Sequence, residues 1–491
     1  MKKLLLFTLF IISVNVYPQQ RTMQIYRDGD ITHRISVHDI DSIKFVTDVQ
    51  DAQVTSYIYD LAALPVITLE ISTAEWNNLL SYYDRNPHNE ENIHADIHFQ
   101  KGSDIYDLQD IGVRLRGNTS RRRPEGSTGQ QHNAANPDWH HASFSLNFKK
   151  YVKGQTLADN EKLNLKWFKD DALYVRELYC YELFRRFGVW TAPMSSYCRL
   201  YIKIKEDAAP AYYGVYEMVE PVDKEYVKRR LSDGMYPDKD GNLWKASYGA
   251  DFASSDRSQM GLEDITLEHT ITPVYDLKTN EDLLENAKDE LVDFILKLNG
   301  KTGESFKKWI EAKMDVPLFL KTYAVNVICG MWDDYWVNKN NFYFYFAGSP
   351  QGSGGDGYGK FYFIPYDYDN TLGTSLILNN SGTHDLLNWG SPQHQLVKKI
   401  IEIPEYRALY ISYLHELCNS ANDYFHVDKS IQRITLWHTL ISPYISNDTE
   451  EDMEIKDVPA SWGNCGFYRL LERNASTNYF MVRAANLPAK E

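Results

Sequence analysis

Two aromatic runs stand out in the pattern of apolar and polar positions, Phe342–Phe346 (FYFYF) and Lys360–Pro365 (KFYFIP). A Gly/Ser-rich connection joins them, so the stretch predicts a β-hairpin. Upstream, alternating positions predict strands over Pro65–Ile71, Ile93–Gln100, Leu108–Arg116, Ser143–Phe148 and Leu163–Trp167, and a strand pair over Tyr197–Lys205 and Tyr212–Val219. Helical spacing marks Thr73–Tyr83 and, most clearly, Asp170–Phe187, where Asp170 and Asp171 begin the run and Gly188 ends it. Beyond a crossing segment near Val219–Asp223, EPVDKEYVKRRL turns into a charged helix, and Met235–Phe252 reads as loops with a short strand. The remainder is mostly helical: Asn280–Asn299, Ser305–Met331, Gln393–Ile401, Pro404–Ala421, Val427–Tyr444 and Ser461–Met481. The layout is α+β, a β-rich first half and a helical second half that contains the hairpin.

Polar residues at the hairpin ends carry the candidate chemistry. Asp333, Asp334, Asn338, Asn340 and Asn341 precede the first strand; Asp367, Asp369 and Asn370 follow the second. A hairpin brings both ends to one sheet edge. Carboxylates gathered there repel, so some must protonate or bind a cation. Oxygen-only ligands suit a hard ion such as Mg²⁺, which with few protein ligands takes the rest from phosphate. Turn-forming Asp and Asn are the competing reading for any one residue. The loop Ser120–Trp139, with RRRPEGSTGQQ, is either a solvated basic turn or a Gly-containing flap over phosphates that uses Arg116, Gly117, Asn118, Thr119 and Ser120.

Length and charge narrow the class. The chain has 491 residues, room for two or three domains or lobes, and a net charge of −15, which argues against nucleic acid and anionic membrane surfaces. Met1–Gln20 reads as a secretory signal peptide, and no later segment is apolar enough for a transmembrane anchor. The expected protein is exported: periplasmic, on the cell surface or extracellular. Arg21–Asp51 reads as a small β leader of three short strands, and Ala52–Leu64 as a linker. Five cysteines, none in a C-x-x-C pair, read best as buried free thiols, with a Cys180–Cys198 disulfide as the alternative.

Taken together, RLRGNTS, the LNL strand, DALYVRELYCYELFRRFGVWTAP, GVYEMVEPVDKEYVKRR, WDDYWVNKNNFYFY and FIPYDYDNTLG resemble the CotH kinase family, in the family's order and across roughly Pro65 to Leu387. The WDDY…NNFYFY and YDYDNTLG blocks are the specific ones. The family is named for a spore coat protein, whereas this chain carries a secretory signal; the resemblance is to a secreted bacterial member. The resemblance implies an atypical protein kinase with a divergent two-lobed kinase-like fold, a β-rich N-lobe over residues 65–219 and a mostly helical C-lobe over 220–491 that contains the catalytic hairpin 330–373. It implies ATP and Mg²⁺ or Mn²⁺, and transfer of phosphate to Ser or Thr hydroxyls of secreted or surface proteins by a monomer. Asp333 matches the catalytic aspartate, with Asp334 as its alternative. Asn341 or Asn338 holds metal with Asp367, which stands at the metal-binding position with Asp369 close behind. Glu217–Val219 matches the hinge that meets adenine through backbone groups. Lys166, paired with Glu177 or Glu182, fits the phosphate-positioning lysine, although the strand SFSLNF lacks the lysines that many relatives carry. Three other readings stay open: transfer of a group other than phosphate, an inactive kinase-like surface binding or structural module, and a carbohydrate-active protein using paired carboxylates.

Overall fold

The computed structural model describes residues 22–27, 30–36, 57–125, 140–348, 359–374, 382–390, 394–445 and 467–490. The chain divides into two units, Met1–Ala52 and Gln53–Glu491. In the first, β1 (Thr22–Arg27) and β2 (Asp30–Ser36) form an antiparallel pair. The third leader strand and the signal peptide expected from the sequence lie outside the described residues.

In the second unit, seven strands close into a barrel. They are β3 (Val66–Ile71), β4 (Ile93–Lys101), β5 (Asp104–Arg116), β6 (Ser143–Asn147), β7 (Lys162–Lys166), β8 (Ser195–Ile204) and β9 (Ala211–Val219), in the order β3-β4-β5-β6-β7-β9-β8. Neighbours run antiparallel except where β3 meets β8 in parallel and closes the ring. Alternate residues such as Ile67, Leu69, Ile97, Phe99, Val113, Leu146, Leu200 and Ile202 point inward and are buried. Helix α1 (Thr73–Arg85) is capped by Ser72 and adds Trp76 to this core. Closure leaves no unpaired strand edge.

The second half is not the helical lobe expected from the resemblance, and the two-lobed kinase-like fold is corrected here. It is built on a five-stranded sheet, β11-β14-β10-β15-β16. Its members are β10 (Asn242–Ala246), β11 (Met260–Gly261), β14 (Tyr275–Leu277), β15 (Phe342–Ala347) and β16 (Lys360–Pro365); β12 (Asp264–Ile265) and β13 (Thr270–Ile271) form a separate hairpin. The physical cause is legible in β15, where Phe and Tyr alternate. Phe342, Phe344 and Phe346 join Phe361, Phe363 and Trp244 in the helical core, while Tyr343, Tyr345, Tyr362 and Ile364 face Val222, Tyr226 and Tyr236. Both faces are covered, so β15 is buried throughout. Tyr345 can bury its ring because its hydroxyl finds partners: Tyr345 Oη donates to Asp238 O at 3.2 Å and accepts from Gly241 N at 2.9 Å.

Ten helices surround these sheets among the described residues. After α1 come α2 (Arg176–Arg186), α3 (Lys224–Ser232), α4 (Leu284–Gly300), α5 (Gly303–Lys313), α6 (Val316–Cys329), α7 (Gln395–Ile401), α8 (Pro404–Leu417), α9 (Val427–Ile445) and α10 (Tyr479–Ala485). The helix expected over Ser305–Met331 is two, α5 and α6. Asp315 caps α6 by accepting from Leu318 N at 3.0 Å, and Pro317 occupies its first turn, where a proline N–H is not needed. Helix α2 starts six residues later than Asp170. Asp171 is turned onto Leu173 N, Arg176 N and the Arg176 guanidinium, and Tyr174 takes a left-handed φ of 58°, so Asp170–Val175 form turns. The C-terminal helix expected from Ser461 is described only from residue 467 on, and there a 3₁₀ turn (Arg469–Leu471) precedes α10. Cys180, Cys198 and Cys329 are buried free thiols and Cys418 is a half-buried one, so Cys180 and Cys198 are not bridged; Cys465 lies outside the described residues. No described helix is long and apolar enough to cross a membrane.

Candidate active site

Three elements converge at the Asp/Asn edge of the β15–β16 hairpin. Helix α6 delivers the first. It ends at Gly330 with φ 69°, and a Cβ there would lie 2.1 Å from Tyr479 Oη, so this reversal needs glycine. The following turn is organised by side chains. Asp334 is buried and its Oδ1 accepts from Trp336 N (3.0 Å) and Val337 N (3.1 Å). Asp333 points the other way. Its carboxylate accepts from Asn338 Nδ2 at 2.5 Å, Asn341 Nδ2 at 3.1 Å and Asn370 Nδ2 at 3.4 Å. Lys339 and Asn341 have left-handed φ values of 59° and 52°. Asn tolerates that region and Lys does so at a cost, the kind of strain found at functional edges.

Strand β16 delivers the second group. Asp367 follows it with φ 59°, its N–H donating to Tyr181 Oη at 2.9 Å. Tyr368 packs edge-on against Phe184 of α2, with centroids 4.9 Å apart, and its hydroxyl donates to Asn326 of α6 at 2.8 Å. These anchors hold Asp367 and Asp369 on the open side, and Asn370 Nδ2 ties Asp369 to Asp333 through a 2.9 Å bond.

The barrel and α2 deliver the third. Lys166, the last residue of β7, donates to Glu177 Oε2 at 2.5 Å and to the Asp367 carboxylate, and stands 3.1 Å from Asp369 Oδ2. Tyr181, one turn after Glu177, donates to Glu177 Oε1 at 2.8 Å, so one hydroxyl couples α2 to the hairpin. Glu182 instead faces Arg185 at 3.2 Å, which leaves Glu177 as the partner of Lys166. Arg116 at the end of β5 donates to Tyr366 Oη at 3.1 Å. Gly117 (φ 108°) makes the turn beyond it, and a Cβ there would meet Ser120 Oγ at 2.7 Å. Asn118 and Thr119 are exposed in this turn, and Ser120 is half-buried. Trp76 Nε1 donates to Glu125 at 2.8 Å, pinning the described start of the expected flap to α1; residues 126–139 lie outside the described residues.

The electrostatics follow from burial and proximity. Burial works against the Lys166 charge, but Asp367, Asp369 and Glu177 outweigh it and hold its pKa well above the usual lysine range. Burial raises the Asp333 carboxyl, opposed by the Asn338 bond and reinforced by Asp367. Burial also raises the Asp334 carboxyl well above the usual range, and its backbone bonds give it a structural place in the turn. Burial alone would raise Asp367, yet Lys166 holds it low; burial raises Asp369 against the pull of Lys166, with Asp367 adding to the rise.

The hinge reading of Glu217–Val219 is corrected. β9 lies between β7 and β8, and Glu217 and Val219 pair on both sides, with Lys166 and Tyr197 and with Asn164 and Ser195. Their backbone groups are spent on the barrel ladder. Glu217 is also buried, and burial ahead of Glu177 raises its carboxyl well above the usual range. Sequence reasoning missed Tyr181, although a tyrosine four residues after Glu177 lies on the same helix face. The linking role of Asn370 was missed too, and only its place in YDYDN pointed to it.

Among the described residues no group of three or more His, Cys, Asp or Glu is arranged to hold a metal ion. The oxygen donors that meet at this edge are the carboxylates of Asp367 and Asp369, while Asn338 and Asn341 turn their N–H groups to Asp333. That set fits a hard divalent ion that draws most of its ligands from phosphate and water.

A buried Lys–Glu pair set against an acid/amide edge defines a charged site between the barrel, α2 and the hairpin. Residues 113–473 match the family described as CotH kinase protein, and the chain belongs to that family. It is similar to spore coat protein homolog 1 of Rhizopus delemar, 24% identical over 252 residues, covering 50% of this chain and 35% of that protein. The chain thus matches about a third of the length of that curated relative.

Proposed function

We propose that the chain is an exported atypical protein kinase that transfers the γ-phosphoryl group of ATP, with Mg²⁺ or Mn²⁺, to a Ser or Thr hydroxyl of a secreted or surface protein. One observation carries the reading: Lys166 is held between Glu177 of α2 and Asp367 of the hairpin. Membership of a kinase family supports it, and the signal-like segment Met1–Gln20 supports export.

Each residue has a task that its surroundings suit. Lys166, oriented by Glu177 and Tyr181, positions the phosphates as a fixed cation. Asp367 and Asp369, with an amide oxygen of Asn338 or Asn341, would hold the divalent ion, which neutralises phosphate charge when bound. Asp333, steered by three asparagine amides, accepts the proton of the attacking hydroxyl. The acceptor oxygen forms a bond to the γ-phosphorus, the bond to the bridging oxygen breaks, and ADP leaves with that electron pair. Positioning and charge stabilisation supply the rate.

The test is intact mass. The chain from Gln20 onward is incubated with ATP, Mg²⁺ or Mn²⁺ and a generic Ser/Thr acceptor, beside Asp367→Ala. A phosphate-sized addition that the variant loses is expected. A nucleotide-sized addition would replace kinase chemistry with nucleotidyl transfer. No addition to either protein would leave a binding module.

A further inference from the structure

Lys245 sits in a segment whose sequence reads as loops and a short strand. In the fold it lies on β10, directly opposite Tyr343 of β15 and Asp276 of β14. Residues paired directly across an antiparallel ladder share a sheet face. The Tyr343 ring meets the Tyr366 ring edge-on, centroids 4.9 Å apart, and Tyr366 Oη accepts from Arg116. Asp367 is the next residue. Lys245 and Arg116 therefore flank one tyrosine pair from two walls, the sheet and the barrel end, beside the proposed metal-binding acid.

Lys245 lies at the looser, partly exposed end of a small ion-pair cluster. Its ion-pair contact is Glu263 at 3.6 Å, and that carboxylate also holds Lys278 at 3.1 Å. Lys278 in turn contacts Asp276. The Lys245 side chain stays 34% exposed. Arg116 has Tyr366 as its hydrogen-bond partner among the described residues.

We propose that Lys245 is a phosphate-binding residue, which with Arg116 clamps the phosphate chain of a nucleoside triphosphate beside the hairpin edge. The inference rests on the nucleotide reading above and extends it to a residue outside the hairpin. An ammonium on a flexible stem suits a phosphate as a point charge, whereas the guanidinium of Arg116 offers a fixed fork.

Isothermal titration of the full chain with Mg²⁺ tests it, using ATP, AMP and inorganic tripolyphosphate as separate probes. Lys245→Met is expected to weaken ATP and tripolyphosphate about tenfold, the size of one charge-assisted contact. AMP is expected to change less than about twofold, and Lys245→Arg to restore ATP to within about threefold, on the same scale. Unchanged ATP affinity in Lys245→Met overturns the clamp while leaving the kinase reading intact. Equal weakening of AMP also overturns it, because that marks general damage. If the wild-type chain binds tripolyphosphate but not ATP, the nucleotide reading falls, and the clamp on a phosphate chain stands only if Lys245→Met weakens that binding about tenfold. If the wild-type chain binds neither, both fall.

Discussion

Lys166→Met removes the cation that three carboxylates share, and its cost can be worked from their burial. The Glu177 side chain is 3% exposed, whereas Asp367 and Asp369 are 34% and 33% exposed. Stranding a buried charge costs about 3–5 kcal/mol, and the two half-exposed pairs add about 0–1 kcal/mol each. The chain has an escape, since it can protonate the stranded carboxyl. Taking up a proton costs about 1.4 kcal/mol per unit of pH above the ordinary carboxyl range, hence about 4 kcal/mol near pH 7.5 and under about 2 kcal/mol near pH 5.5. The sign follows from linkage. A carboxyl that binds its proton more tightly folded than unfolded penalises the fold at high pH, and the penalty fades as pH falls toward the unfolded value. Urea unfolding of wild type and Lys166→Met at both pH values, followed by tryptophan fluorescence, measures the difference. The expected loss is about 3–5 kcal/mol near pH 7.5 and less than about half of that near pH 5.5. A loss below about 1 kcal/mol at the higher pH, or one independent of pH, refutes the burial and sharing of charge around Lys166.

Further outcomes follow from the same contacts. Tyr181→Phe removes the hydroxyl that serves both Glu177 and the Asp367 N–H, so it is expected to cost about 1–3 kcal/mol in urea unfolding, and a cost near zero would show that water replaces it. Because burial raises the Asp333 carboxyl, the acidic limb of the kcat/KM profile for phosphate transfer is expected above the usual aspartate range, with activity rising as Asp333 loses its proton; a limb at or below that range would count against Asp333 as the base. Gly330→Ala must displace Tyr479 and adopt a left-handed φ, so a drop of several degrees in Tm is expected, and an unchanged Tm would mean that the reversal is not tight.

What the sequence made legible was local. The Phe/Tyr alternation of Phe342–Phe346 encodes a strand buried on both faces, and the acids at its ends fall on one edge as a hairpin requires. Lys166 and the start of α2 adjoin in sequence, so the order of elements narrowed its partner to Glu177 or Glu182, and the fold selects Glu177, eleven residues on. The barrel was not legible, because its closing contact joins Val66 to Arg199 in parallel and no periodicity within either strand records its partner. That closure also defeats the hinge reading: Glu217–Val219 looks like an edge until both neighbours of β9 are known. The single helix expected over Ser305–Met331 failed at Asp315 and Pro317, a cap and a first-turn proline inside a continuously apolar run. Lys245 gave no signal, since its significance comes from a tyrosine pair assembled by three distant segments.

Adjacent acids offer the sharpest measurement of whether the hairpin edge performs phosphoryl transfer. Asp333→Asn and Asp334→Asn differ by one position, and both replacements keep an amide oxygen where the carboxylate stood. Asp334 is buried and caps backbone N–H groups, so its variant is expected to keep kcat for phosphate transfer within about threefold, as loss of a structural acid does. Asp333→Asn is expected to lose about 10²–10⁴ in kcat with its fold intact, the contribution of a positioned general base. Equal activity in the two variants, or loss confined to Asp334→Asn, would contradict the assignment of this edge as a phosphotransfer site with Asp333 at its reacting face.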